Sequence, residues 1–272
     1  MIKTPEFNCP ICFTKLQKTG NSLVCDNKHM FDYAKEGYVN LLPVQLKNSL
    51  QPGDDKNMVL ARREFLLLGH YDFLRQALVK TLLSLPHNNI IDLGCGEGYY
   101  TDFIQNQTPE TNVYGVDISK SAVKYAAKRN KQVHYCVATN SHVPFPDDFS
   151  DLIVNVFAPL IGKECQRILT QQGRIISASP GAQHLIELKQ YIYDSPELHD
   201  QAKPPEGFEL ADIQQITQQV TLDNPKDIEN LLTMTPFGWK ISEQNKQKLL
   251  SKLPFQLTLS FSLNQFVPTT LV

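Results

Sequence analysis

Asp92-Leu93-Gly94-Cys95-Gly96-Glu97-Gly98 sets three glycines at alternate positions, behind a short apolar run and ahead of a helix-like segment. Glycine permits a tight turn there and lets the backbone approach a ligand closely. The spacing is not the G-x-G-x-x-G of dinucleotide folds, whose third glycine serves helix–strand packing; bulky Tyr99 and Tyr100 follow instead. Alternating glycines favour S-adenosylmethionine (SAM), whose cationic aminopropyl group suits carboxylates such as Asp92 and Glu97. Asp117 ends the next strand-like run, about 20 residues past the loop, where an acid accepts hydrogen bonds from ribose hydroxyls. Ala138 ends a third run, where an adenine ring can lie beside the backbone. The competing reading makes Gly94 to Gly98 a structural turn and Asp117 a helix start. The coincidence of strand, loop, helix and acid favours the ligand.

A second constellation lies at the N-terminus. Cys9-Pro10-Ile11-Cys12, followed by Cys25 and His29, reads C-x2-C, a gap, then C-x3-H. Two knuckle-like turns place three thiolates and an imidazole in a tetrahedron, a donor set that favours Zn2+. No ligand position is left open, so the site is expected to be structural. A redox C-x-x-C is the rival, but those follow a strand in a larger α/β unit. A module this small needs its metal to fold. It either only stabilises its neighbour or helps grip a substrate; Lys15, Lys18, Lys28, Lys35, Arg62 and Arg63 supply positive charge nearby.

The elements that must position these groups follow from patterning. The chain has 272 residues, 42% hydrophobic and 20% charged, which suits one α/β domain plus a small accessory module. The net charge of -2 excludes a generally basic nucleic-acid coat, so any RNA contact must come from a local patch. No stretch approaches the ~18 to 20 apolar residues of a membrane span, and no signal peptide is expected. Cys95, Cys136 and Cys165 are scattered, so the chain suits a reducing cytoplasm with one metal site. Residues 1–45 read as the metal module and 46–88 as a linker plus helices. Within the latter, Lys47 to Lys56 has a loop composition, and a closure of the 47–57 stretch over substrate is a reading of that composition. Met58 to Leu85 has one apolar helical stripe. Residues 89–272 read as the catalytic domain: strands at Ile90–Leu93, Val113–Asp117, Val133–Val137, Leu152–Phe157 and Arg174–Ala178. A helix is expected from Ser119 to Arg129 and another from Gly181 to about Tyr193. Two last strands, Ile216–Leu222 and Phe255–Val267, flank a helical insert. This alternation predicts a Rossmann-like α/β domain with a parallel sheet covered on both faces and an antiparallel pair at one edge.

With these residues in view, the chain resembles the bacterial 23S rRNA (guanine-N1)-methyltransferases of the RlmA family, in its Gram-negative-type branch. The resemblance runs nearly end to end. It is carried by Cys9-Pro10-x-Cys12, by the unbroken Ala34 to Gln45 segment, by Pro52-Gly53-Asp54, and by Ala61-Arg62-Arg63-x-Phe65-Leu66 with Gly69-His70-Tyr71. Asp92 to Thr101, Ala178 to Lys189 and Met234-Thr235-Pro236-Phe237-x-Trp239 add to it. It implies a class I SAM-dependent methyltransferase with an N-terminal zinc ribbon, methylating N1 of a hairpin-loop guanine of the position-745 type in 23S ribosomal RNA. It implies Zn2+ on Cys9, Cys12, Cys25 and His29, SAM contacts from Tyr71, the Gly96-Glu97 loop and His184, and a homodimer. Asn155 departs from the pattern, because the family often has a basic residue there.

By residue type alone, Tyr71 on an apolar helix face suits the core as well as a ligand, and His184 suits a first helical turn. Trp239 and Phe237 suit stacking on an unpaired base or packing under the insert. No residue declares itself as the base that must take the proton from guanine N1; Glu97 and His184 are candidates by proximity alone. Two other functions compete: a SAM enzyme for a small molecule, and a non-catalytic zinc-ribbon RNA-binding protein.

Overall fold

The computed structural model describes residues 4–46 and 52–269. In chain order the strands and helices are β1 (Gln17–Thr19), β2 (Ser22–Val24), β3 (Met30–Asp32), β4 (Val39–Asn40), α1 (Lys56–Leu67), α2 (Asp72–Leu83), β5 (Asn89–Leu93), α3 (Tyr99–Gln107), β6 (Asn112–Asp117), α4 (Lys120–Arg129), β7 (His134–Val137), β8 (Ser150–Val156), α5 (Gly162–Ile168), β9 (Leu169–Pro180), α6 (Ile186–Lys189), β10 (Phe208–Leu222), α7 (Pro225–Met234), α8 (Glu243–Leu250) and β11 (Phe255–Pro268). Uncharged runs such as Ile90-Ile91, Val113-Tyr114-Gly115-Val116 and Leu152-Ile153-Val154 are buried, as parallel strands covered on both faces must be. They form an eight-stranded sheet in the order β10-β11-β9-β8-β5-β6-β7-β4. The pairs from β4 through β9 are parallel, and β11 is antiparallel to both β9 and β10. This is the expected Rossmann-like α/β architecture with an antiparallel edge.

The N-terminal module is joined to this sheet more closely than its composition suggests. Its strands β1, β2 and β3 form a separate small sheet, but β4 pairs with β7 and so extends the main one. Phe7 packs edge-on against Tyr114 and tilts against Phe145, which stacks on Phe149. Leu16, Leu23, Val39 and Leu41 belong to the same buried cluster as Ile91, Leu93 and Val116 on one face of the sheet. The module thus borrows its apolar core from its neighbour, which a unit too small to bury its own surface needs.

The helices expected over Met58 to Leu85 are two, because Gly69 adopts a left-handed φ of 81° that ends α1 and lets Tyr71 precede α2. Two expectations are corrected. The helix over Gly181 to Tyr193 shrinks to the single turn of α6, since Leu185 also sits at positive φ (57°). The strand at Ile216–Leu222 runs on from Phe208, paired with β11 along its length. Its middle, with Gln214-Gln215 and Gln218-Gln219, is polar and exposed, as a sheet edge facing water must be, and so lacks an apolar signature.

Gly98, at φ 82°, precedes α3 where a Cβ would lie 2.9 Å from both the Ala126 Cβ and the Tyr135 hydroxyl. Helices α3 and α4 close together there only because no side chain intervenes. Gly98→Ala is expected to lower unfolding free energy by about 1–3 kcal/mol, from overpacking plus backbone strain. Chemical denaturation of the two proteins measures it.

Candidate active site and metal centre

Strand order reverses between β5 and β8, and ligands of open α/β sheets bind at such a point, beyond the carboxyl ends of the strands. A cavity of about 1660 Å³ opens there. Its floor is the Gly94 loop. The N–H groups of Gly94 and Cys95 both bond the Val116 carbonyl, at 2.8 and 3.0 Å, folding the loop back over β6. A Cβ on Gly94 would collide with that of Ala158, whereas a Cβ on Gly96 would stand in open space. The bare backbone of Gly96 therefore faces the cavity, a cradle that a side chain would fill.

Asp117 fixes this loop. One carboxylate oxygen accepts the Gly96 N–H at 2.9 Å and the other accepts the Ser119 N–H at 2.7 Å. Burial raises its pKa, and the two backbone bonds pull it back down. Each oxygen retains acceptor capacity towards the cavity it lines. Glu97 is 2% exposed and lines the same cavity. Arg129 donates to its Oε2 at 2.6 Å, while Oε1 is buried without a partner among the described residues. An orphaned buried carboxylate oxygen on a cavity wall fits a cationic ligand group.

Asp92 stands apart from these acids. It lies behind the loop, bonded by the Thr101 hydroxyl at 2.6 Å, and burial pushes its carboxyl up to about 7. Gly98 and Ala138 also support rather than line the cavity. Gly98 closes α3 on α4, and Ala138 is buried with its N–H on the Asp117 carbonyl at 3.2 Å; Thr139 and Asn140, next in sequence, reach the wall.

Tyr71 is both core and wall. Its ring packs against Phe65 and Phe261, and it lines the cavity. Burial raises its pKa, so the hydroxyl keeps its proton. His184 packs on the same Phe261 ring, at 4.8 Å, and also lines the cavity. Its Nδ1 accepts the Ser260 N–H at 3.3 Å, and burial lowers its pKa to about 3. The ring is therefore neutral, with its proton on Nε2, which makes it a hydrogen-bond donor.

Several residues outside the expected ligand set also build the site. Of the polar 47–57 stretch, 47–51 lie outside the described residues. Pro52 to Asp55 are folded against the loop after β6: a Cβ on Gly53 would touch Ile118 and Ser119, and Ser119 Oγ donates to the Asp54 carbonyl at 2.9 Å. Asp54 pairs with Arg62, and both line the cavity. Asn155, buried, donates from its amide to the Leu93 carbonyl at 2.9 Å, tying β8 to β5 just before Gly94. Phe157 sits at φ 56° yet is 46% exposed on the cavity wall. Trp239 is 80% exposed at the rim and does not pack under the insert; Phe237, half-buried, does. The one sign of these in the sequence is the unbroken Pro52-Gly53-Asp54 and Met234 to Trp239 runs.

The metal centre is separate. The sulfurs of Cys9, Cys12 and Cys25 and a ring nitrogen of His29 all lie within 4.8 Å of one another. His29 Nδ1 is 3.5 Å from Cys9 Sγ and 3.4 Å from Cys25 Sγ, and the Cys12 and Cys25 sulfurs are 3.6 Å apart. A tetrahedral Zn2+ with bonds of about 2.0–2.3 Å needs edges of roughly 3.5–3.8 Å, so the four residues fit zinc. Each knuckle is closed by a residue at positive φ: the Phe13 N–H bonds the Cys9 carbonyl at 2.9 Å and the Lys28 N–H bonds the Cys25 carbonyl at 2.8 Å. The Thr14 hydroxyl, with Asn27, pulls the Cys12 thiol down to about 5, while burial pushes Cys9 up to about 11. The first knuckle abuts the catalytic domain, where the Phe13 ring meets His142 at 5.0 Å, two residues beyond Asn140 of the cavity wall.

Comparison with known proteins adds the family. Residues 7–50 match the model of the RlmA N-terminal zinc ribbon, and residues 90–177 match a methyltransferase domain. A Micromonospora griseorubida protein, provisionally named a 23S rRNA (guanine-N(1)-)-methyltransferase, is 31% identical over 205 residues, 68% of each chain. A Bacillus subtilis protein with the same provisional name is 30% identical over 91% of each chain. The Streptomyces fradiae 23S rRNA (guanine(748)-N(1))-methyltransferase is 28% identical over 93% of each.

Because Cys9 and Cys25 belong to the cluster that also covers the sheet, loss of the metal should destabilise the whole chain. Cys25→Ser is expected to abolish stoichiometric zinc and to cost about 2 kcal/mol or more in a single unfolding transition. Elemental analysis and calorimetry provide the readout; an unchanged transition would show that the module folds on its own.

Proposed function

The chain belongs to the family of the 23S rRNA (guanine-N(1)-)-methyltransferases, and on that premise we propose the roles of its site residues, its target and its assembly. It is a SAM-dependent methyltransferase with a structural zinc ribbon. The substrate is a guanine in a loop of 23S ribosomal RNA. The observation that carries this reading is the size and lining of the cavity. At about 1660 Å³ it exceeds the ~300–1000 Å³ of a small-molecule site, so it leaves room for a nucleobase beside the cofactor.

Asp117 takes the ribose hydroxyls, Gly96 gives the backbone approach, and the free Glu97 Oε1 takes the ammonium group of the methionine moiety. Tyr71 and His184 donate from the opposite wall. Bound SAM supplies an electrophilic methyl group on sulfur. Positioning N1 in line with that methyl is the task of the residues beyond it. Phe157 and Trp239 offer exposed ring faces on which a base splayed from its loop can stack. The exposed first knuckle, with Ile11 and Phe13, extends this surface towards the rest of the loop.

The resemblance favours the position-745 type of target; the Streptomyces fradiae relative is named for position 748, three nucleotides on. We place the protein in the cytoplasm as a homodimer; sedimentation of the purified protein tests the dimer. No helix among the described residues is long and apolar enough to cross a membrane.

Incubation with labelled SAM and unmodified 23S rRNA, followed by mapping of the label, tests the function. Methyl transfer to N1 of one loop guanine is expected. Transfer only to a small-molecule extract, or RNA binding without transfer, would replace this reading with one of its two rivals. Asp117→Ala is expected to weaken SAM binding at least ~10-fold, the loss of charge-assisted bonds and of the loop clamp, as titration calorimetry would show. Trp239→Ala is expected to weaken RNA binding by about 1–3 kcal/mol with SAM binding unchanged.

A further inference from the structure

The wall of the cavity between α6 and β10 carries a group that cofactor binding leaves unused. Lys189 Nζ donates to the Glu197 carbonyl at 2.7 Å, and the His199 N–H bonds the Ala182 carbonyl at 3.0 Å, so this segment is pinned across the site. The His199 ring lies 6.2 Å from that of His184 and lines the cavity. Its Nε2 is shielded from solvent and has no hydrogen-bond partner among the described residues.

The state of that nitrogen follows from its surroundings. Burial first, and then the Lys189 charge, lower the pKa of His199; a hydrogen bond to the His184 backbone acts the other way. A neutral ring whose proton sits on Nδ1 keeps a lone pair on Nε2, the nitrogen that lacks a partner. Lys189 is the charged group that acts on it and opposes its protonation, while the His184 ring beside it is neutral. A buried acceptor left unpaired costs about 1–3 kcal/mol, and such a group calls for a ligand.

Guanine N1 carries a proton that must leave when N1 is methylated. The other candidates do not suit that task. The lone pair of His184 Nδ1 is occupied by the Ser260 N–H, and the free oxygen of Glu97 lies at the glycine loop, on the cofactor side. We propose that His199 Nε2 is the general base that accepts the N1 proton of the target guanine, an assignment that rests on the guanine-N1 reading above. The N1 electron pair forms the bond to the methyl carbon as the methyl–sulfur bond breaks, and its electrons return to sulfur to give S-adenosylhomocysteine. The N1–H electrons stay on the guanine, which ends neutral, and the proton passes to His199 and then to solvent.

The test is single-turnover methylation of unmodified 23S rRNA transcript by the wild type, His199→Ala and His199→Asn across pH 6 to 9, with SAM affinity measured in parallel. Both variants should be slower at pH 7 by about 10²–10⁴-fold, the usual contribution of a general base, with SAM affinity within about threefold of wild type. Their rates should climb about tenfold per pH unit until guanine itself ionises, because only the deprotonated base then reacts; the wild-type rate should be level above neutrality. Variants that keep wild-type rates, or that lose the same factor at every pH, overturn the role of His199. A wild type that transfers no methyl to guanine N1 overturns the function itself, which separates the two failures.

Discussion

The clamp made by Asp117 is the interaction on which the site depends. Its two oxygens hold the Gly96 N–H and the Ser119 N–H, so one side chain joins the loop after β5 to the start of α4. The Val116 carbonyl secures the same loop from below. These bonds set the backbone that a cofactor would meet. Two main-chain N–H groups on one half-buried carboxylate offset the cost of taking it partly out of water. Ser119 transmits the constraint further, since its hydroxyl holds the Asp54 carbonyl and so seats the segment that leads into α1.

The parts of this arrangement visible in the sequence are those with a local signature. Three alternating glycines after an apolar run located the cavity floor, and an acid at the end of the next run located Asp117. The C-x2-C and C-x3-H spacings located the metal centre, because each knuckle is a local turn. What stayed hidden is built from contacts between distant segments. The polar residues from Pro52 to Asp55 read as a loose connection, and their seat on Ile118 and Ser119 exists only in three dimensions. His199 lies in a stretch with no periodicity and gains meaning only from a ring some fifteen residues earlier. The helix after Gly181 was read too long because Leu185 takes a left-handed conformation that a leucine gives no hint of, whereas Gly69 marks the break between α1 and α2 openly. Asn155, a departure from the expected basic residue, proves to be a tie between two central strands.

The two halves of the molecule share both an interior and an edge of sheet. Phe7, Leu16, Leu23 and Leu41 pack with residues of β5 and β6, so the apolar surface that zinc organises is the same surface that covers one face of the catalytic sheet. Zinc substitutes for the hydrophobic core that the first 45 residues cannot build alone. It also holds the first knuckle beside the cavity mouth, where the Phe13 ring meets His142.

The pairing of β4 with β7 carries a further consequence, for the order of events during synthesis. Val39 bonds alongside Cys136, a partner that leaves the ribosome about a hundred residues later. Until then the N-terminal segment has no sheet to complete and no apolar face to lean on. Capture of a metal ion by four ligands confined to residues 9–29 is a local event that needs nothing downstream. It holds the nascent segment in register while the distant strand is made, and shortens the search that so non-local a contact would otherwise require.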